Sequence, residues 1–180
     1  FPSTCRRLPP SVLFARRPTG SVRSINRRRN QRESSWRSNP SELAGGLPCT
    51  VLHIRSDQKV FCAGADLKEV RARMDMVDGP DRMYAYVAAI QRLYARIERL
   101  PQVTLAEIDG AAMGGGFELA LSCDLRIAAV EAKVGLPEVR LGLIPGAGGT
   151  QRITRLCGPA VATRLILGAE ILDGAAASAL

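Results

Sequence analysis

Residues 108–129 read Ile108-Asp-Gly-Ala-Ala-Met-Gly-Gly-Gly-Phe-Glu-Leu-Ala-Leu-Ser-Cys-Asp-Leu-Arg-Ile-Ala-Ala129. Val103 to Ile108 reads as a strand, and Asp109-Gly110 turns the chain. Gly114-Gly115-Gly116 follows, and Phe117 to Ser122 then predicts a helix, with Leu125 to Val130 as the next short strand. Strands that alternate with helices in this way predict an α/β domain.

The same alternation extends on both sides. Upstream, Thr50 to Ile54 predicts a buried strand, Phe61-Cys-Ala-Gly-Ala-Asp66 a turn of small residues, and Leu67 to Met76 a helix. Gly79-Pro80 interrupts. From Asp81 to Leu100 the apolar residues Met83, Tyr86, Val87, Ile90, Leu93, Tyr94, Ile97 and Leu100 recur at spacings of three and four, one face of an amphipathic helix that stops before Pro101. Downstream, Leu136 to Thr150 reads as loop, rich in Gly and Pro, and helical stretches follow near 150–156 and 159–167.

Residues 1–48 differ in kind. They carry six prolines and runs of arginine among Ser and Asn, with too few apolar residues for a core, so they read as a disordered Arg/Pro-rich arm or leader ahead of a domain at 49–180. An organellar transit peptide, a polyanion-binding arm and a non-native leader are all compatible with that composition. The formal net charge of +8 belongs to the arm: residues 1–42 hold ten arginines against two glutamates, whereas 43–180 hold 15 basic and 15 acidic residues. A neutral domain gives no general argument for nucleic acid or a membrane surface. The longest stretch without Asp, Glu, Lys or Arg, Leu43 to Ile54, is shorter than the roughly 18 apolar residues of a membrane span. Five scattered cysteines with no C-x-x-C pair, and one histidine, argue against a zinc site or a disulfide framework.

Several groups could carry chemistry. Gly114–Gly116 lies directly before a helix, where unpaired N–H groups suit an oxyanion or a phosphate, and it reads equally as a tight turn without a ligand. It is not a P-loop, and Gly146-Ala-Gly-Gly-Thr-Gln151 is not a dinucleotide fingerprint. Glu118, on the first turn of that helix, either complements the helix dipole or serves as a catalytic carboxylate. Glu138, after Pro137, is either solvated or its partner. Two carboxylates in one shielded pocket can hold different protonation states, which acid and base chemistry at neutral pH requires. His53 reads as structural, Cys62 as a small buried residue, and Asp66 and Asp124 as capping or turn residues. Cys123 has no second histidine to activate it.

Three stretches in order resemble the enoyl-CoA hydratase/isomerase (crotonase) superfamily, and its hydratase branch in particular: Val60-FCAGADLKE-Val70, residues 108–129, and Gly135-LPEVRLGLIPGAGGTQRIT-Arg155. The resemblance implies a crotonase-like core of repeated ββα units. It places the thioester-binding N–H groups, the oxyanion hole, at Ala65 and Gly115, and the two catalytic glutamates at Glu118 and Glu138. CoA contacts fall on Ala63, Ala65, Asp66, Leu67 and Lys68. The implied reaction adds water to a trans-2-enoyl-CoA to give a 3-hydroxyacyl-CoA, as in fatty acid or amino acid catabolism, with no metal or redox cofactor.

The resemblance also implies an acyl-CoA substrate, no membrane or nucleic-acid partner, and a homotrimer or hexamer. The compartment would be the cytoplasm of a bacterium or the mitochondrial matrix of a eukaryote. Rival readings are a 3,2-enoyl-CoA isomerase or other crotonase activity, an RNA-binding relative with its Arg-rich arm, and an inactive truncated protein. The family's Asn-Arg-Pro-type opening segment and its C-terminal helices have no counterpart in these residues, so the domain reads as incomplete at both ends.

Overall fold

The computed structural model describes residues 50–180; the proposed arm at 1–48 lies outside the described residues. Two small sheets carry the domain. The first joins β1 (Val51–Arg55), β2 (Val103–Ile108) and β4 (Leu125–Ala128) in that order, all parallel. The second joins β3 (Ala111–Met113), β5 (Lys133–Gly135) and β6 (Ile171–Asp173), with β3 parallel to β5 and β6 antiparallel to it.

From β2 to β5 successive strands alternate between the sheets, and each such pair leads into a helix. β2 and β3 precede α3 (Gly115–Leu121), and β4 and β5 precede α4 (Gly149–Ile166). β1 is followed by a single parallel bridge from Cys62 to Ala112, then by α1 (Leu67–Met74) and α2 (Gly79–Ile97). A short helix α5 (Gly174–Ala177) ends the described chain. This is the expected repeat of ββα units. The strands β3, β5 and β6 were not in the sequence expectation; at three residues each they are too short to show a period.

Gly79-Pro80, expected to interrupt, instead forms the first turn of α2. A proline is compatible there because its missing N–H would have had no helical acceptor. The two helical stretches expected after residue 150 are both present in α4, separated by a kink at Gly158, whose φ of 83° is followed by Pro159. Part of the expected 136–150 loop is a 3-10 helix, Pro137–Leu141, which closes on Gly142 in the left-handed region.

The main core joins Ala106 and Ile108 of β2, Ala112 of β3, Ala120 and Leu121 of α3, Val134 of β5, and Ile153 and Leu165 of α4. Ala106, Ala112 and Ala120 are fully buried. Such small side chains let the sheets and α3 approach closely, since packing at protein density leaves no room for anything larger. α2 lays Ile90, Leu93, Tyr94 and Ile97 on a second cluster with Leu119 and Ala147. α1 has no buried residue. Among the described residues no helix is long and apolar enough to cross a membrane.

Candidate active site

The centre of the site is the turn between β3 and α3. Gly114 has φ 52° and ψ −126°, a conformation costly for any residue with a Cβ, and a Cβ there would stand 3.0 Å from Glu138 Oε1. Gly115 opens α3, so its N–H has no acceptor within its own helix. The Ala63–Asp66 turn packs against this amide: a Cβ on Gly64 would meet Gly115 N at 3.2 Å. Among the described residues no backbone carbonyl takes up the N–H of Ala65 or of Gly115.

Glu118 is 3% exposed. It sits in the first turn of α3, but its carboxylate does not serve that helix. Oε1 accepts from Ala147 N at 2.8 Å and from Gly149 N at 2.7 Å, at the N-terminus of α4. Burial pushes its proton affinity above the ordinary carboxyl range, while the two amides and the Arg152 charge pull it back. Its Oε2 faces the glycine turn, 3.9 Å from where a Gly115 Cβ would be.

Glu138 stands on the 3-10 helix, on the other side of the same turn. It is half-buried, and its Oε2 has no hydrogen-bond partner among the described residues. Burial raises its proton affinity, and the charge of Glu118 raises it further. Glu138 therefore feels the charge of Glu118 across Gly114–Gly115, and the two have unequal holders: two amides on Glu118, an unpartnered oxygen on Glu138.

Asp66 caps α1, accepting from Lys68 N at 2.9 Å and Glu69 N at 3.4 Å. That is the capping role its residue type predicts. Leu67 and Lys68 are exposed on the first turn of α1, just beyond Ala63 and Ala65. Asp124 ties the end of α3 to β2: its Oδ2 accepts from Thr104 N at 2.8 Å and Thr104 Oγ1 at 2.7 Å. His53 pairs with Glu107 at 2.7 Å on the neighbouring strand, a structural place. Cys123 is buried and its thiol is pushed up to about 11, which disfavours a thiolate. Cys62, expected to be buried, is only half-buried. Among the described residues no cluster of His, Cys, Asp and Glu could hold a metal ion.

A profile of the enoyl-CoA hydratase/isomerase family matches residues 49–180, well over half of the chain. The chain belongs to the enoyl-CoA hydratase/isomerase family. It is 52% identical over 122 residues to the mitochondrial methylglutaconyl-CoA hydratase of Rattus norvegicus, covering 67% of this chain and 37% of that protein. It is 50% identical over 131 residues to the mitochondrial enoyl-CoA hydratase domain-containing protein 2 of Mus musculus, covering 72% of this chain and 43% of that protein. Among solved structures, the enoyl-CoA hydratase of Bacillus anthracis superposes with a TM-score of 0.67 at 40% identity, over 74% of this chain and 50% of that one. The chain thus spans less than half of the length of the curated relatives it matches, for example 34% of the human methylglutaconyl-CoA hydratase.

In this hydratase/isomerase-family chain, sequence reasoning missed the amides that hold Glu118. Ala147 and Gly149 lie in the glycine-rich run 146–151, which was set aside as not binding a dinucleotide. The signal was present: like Gly114–Gly116, this run precedes a helix, and amides at a helix start attract a carboxylate as readily as a phosphate. Arg152 and Tyr94, at 8% exposure each, are the other polar groups beside the site that were not singled out for it.

Proposed function

We propose that the chain encodes enoyl-CoA hydratase chemistry, a lyase-type reaction that adds water across the 2,3 double bond of a trans-2-enoyl-CoA. The observation that carries this reading is the convergence of a buried and a half-buried carboxylate, unequally held, on one glycine turn whose Gly115 amide has no backbone acceptor. The thioester carbonyl oxygen would lie against the N–H groups of Ala65 and Gly115, with the CoA moiety along Ala63, Ala65, Asp66, Leu67 and Lys68. Polarisation of the carbonyl makes carbon 3 electrophilic.

Glu118 and Glu138 hold the water between them. Glu118, whose Oε1 is tied to two amides, acts as the ionised base and takes a proton from the water as its oxygen bonds to carbon 3. The electron pair of the double bond moves onto the thioester oxygen as an enolate, where the two N–H groups stabilise it. Losing one such donor typically costs about 3–4 kcal/mol in the transition state. Glu138 carries the second proton and delivers it to carbon 2. Return of a proton from Glu118 to Glu138 restores both carboxyls, so the sum is one water added, its hydroxyl on carbon 3 and a hydrogen on carbon 2. No metal or redox cofactor enters the scheme.

The relatives include mammalian mitochondrial and bacterial proteins. The same reading puts the activity in the mitochondrial matrix of a eukaryote or the cytoplasm of a bacterium, in an assembly of three or six copies. The test follows the conjugated enoyl-thioester absorbance of a short trans-2-enoyl-CoA. The chain should bleach it, and the double variant Glu118→Gln/Glu138→Gln should not. Equal rates for the two would remove the carboxylates from the reaction.

A further inference from the structure

Gln91 and Tyr94 on one face of α2 reach the backbone that surrounds the glutamates, and Glu98 at its C-cap reaches Arg152. Gln91, Tyr94 and Glu98 are spaced by three and four, which aligns them along the helix. Gln91 Nε2 donates to Gly146 O at 2.7 Å, and Tyr94 Oη donates to Gly115 O at 2.9 Å. Glu98 receives a two-pronged contact from Arg152: Nε to Oε1 at 3.0 Å and Nη2 to Oε2 at 2.8 Å. The remaining arm of that guanidinium, Nη1, donates to Ala147 O at 2.6 Å. Ala147 is the residue whose N–H binds Glu118 Oε1. A continuous line of hydrogen bonds therefore runs from Glu98 through Arg152 and Ala147 to Glu118. The line depends on Gly148 as well, because a Cβ there would overlap the guanidinium.

We propose that Glu98 and Arg152 are positioning residues for Glu118, holding the Ala147–Gly149 turn so that both of its amides stay on Oε1. Neither touches the reacting atoms. The inference rests on the hydratase reading only for its catalytic consequence. Arg152 suits the task because a planar guanidinium can grip a carboxylate with one edge and a carbonyl with the remaining arm. A lysine would keep the positive charge and lose the fork. The charged and titratable groups around Glu118 are Arg152 on α4, Glu138 on the 3-10 helix, and Tyr94 on α2 with Cys62 beside it. In Arg152→Lys these charges persist while the turn loosens. Glu118 then loses hydrogen bonds that favour its charged form, so it should titrate at higher pH.

The test uses the 180-residue chain with carbon-13 in its glutamate carboxyl groups, the Glu118 signal being assigned through Glu118→Gln. Arg152→Lys should raise the Glu118 titration midpoint by about one pH unit, the worth of one charge-assisted hydrogen bond. The amide protons of Ala147 and Gly149 should move upfield, and kcat should fall about tenfold with KM held within about twofold. Glu98→Gln, at a half-exposed position that tolerates the change, should move the same two amide protons in the same direction. A Glu118 midpoint unmoved in folded Arg152→Lys, or unmoved amide protons in Glu98→Gln, would overturn the positioning role. If the titration and amides shift but the parent chain hydrates nothing, positioning stands and the hydratase reading fails. If the parent hydrates its substrate and neither signal moves, the reverse holds.

Discussion

Glu118 keeps its carboxyl out of water, where burial raises its proton affinity and two amides with Arg152 only partly offset the rise. A carboxyl raised on folding binds more protons in the native state than in the unfolded chain, between its ordinary range and its native one. Stability therefore falls as pH rises through that window, and stays reduced above it. Glu118→Gln keeps an oxygen for the Ala147 and Gly149 amides and removes the charge. We expect it to raise Tm at neutral pH by about 2–4 °C, the shift that about 1 kcal/mol gives at this chain length. The gain should vanish below the ordinary carboxyl range, as thermal melts across pH will show. Glu138→Gln has a different expected outcome. It keeps the volume but cannot carry a proton, so turnover of a short enoyl-CoA should fall at least about a hundredfold while binding of a product analogue is retained.

Helix starts, rather than helix lengths, organise the site. α3 begins at the glycine turn and α4 begins at the amides that receive Glu118. Two glycines with positive φ separate strain from function. Gly114→Ala should cost about 1–3 kcal/mol from its backbone alone, and its Cβ would also press on Glu138 Oε1, so both Tm and turnover should drop. Gly158→Ala meets nothing within 4 Å, so it should lower Tm through strain and leave turnover near the parent value. The elements with long periodic patterns were legible in advance: α2 from its spacing of three and four, and α4 with its break at Gly158-Pro159. The three-residue strands were not, because their identity lies in partners elsewhere in the chain. The site divides in the same way. Glu118 and Glu138 stood out through motif resemblance, but the amides that hold Glu118 lie 29 and 31 residues away and contribute backbone atoms, which leave little trace in residue type.

Across the whole domain, burial is uneven. β2, α3 and β5 carry the most enclosed residues, whereas α1 carries none, and Val77, Tyr84 and Ile144 are exposed apolar residues. Local opening should follow that gradient. Hydrogen exchange is expected to be slowest at Ala106, Ile108 and Ala120 and fastest through Leu67–Met74; equal protection in α1 and β2 would contradict the described packing. The two carboxylates sit between these extremes, Glu118 on the buried α3 and Glu138 on the half-exposed 3-10 helix. The most direct measurement of the central claim is the mass of the product formed from a short trans-2-enoyl-CoA in water enriched in oxygen-18. The account predicts a 3-hydroxyacyl-CoA carrying one heavy oxygen at carbon 3, formed by the parent chain and not by Glu138→Gln. Recovery of unchanged substrate, or of a double-bond isomer without added oxygen, would contradict it.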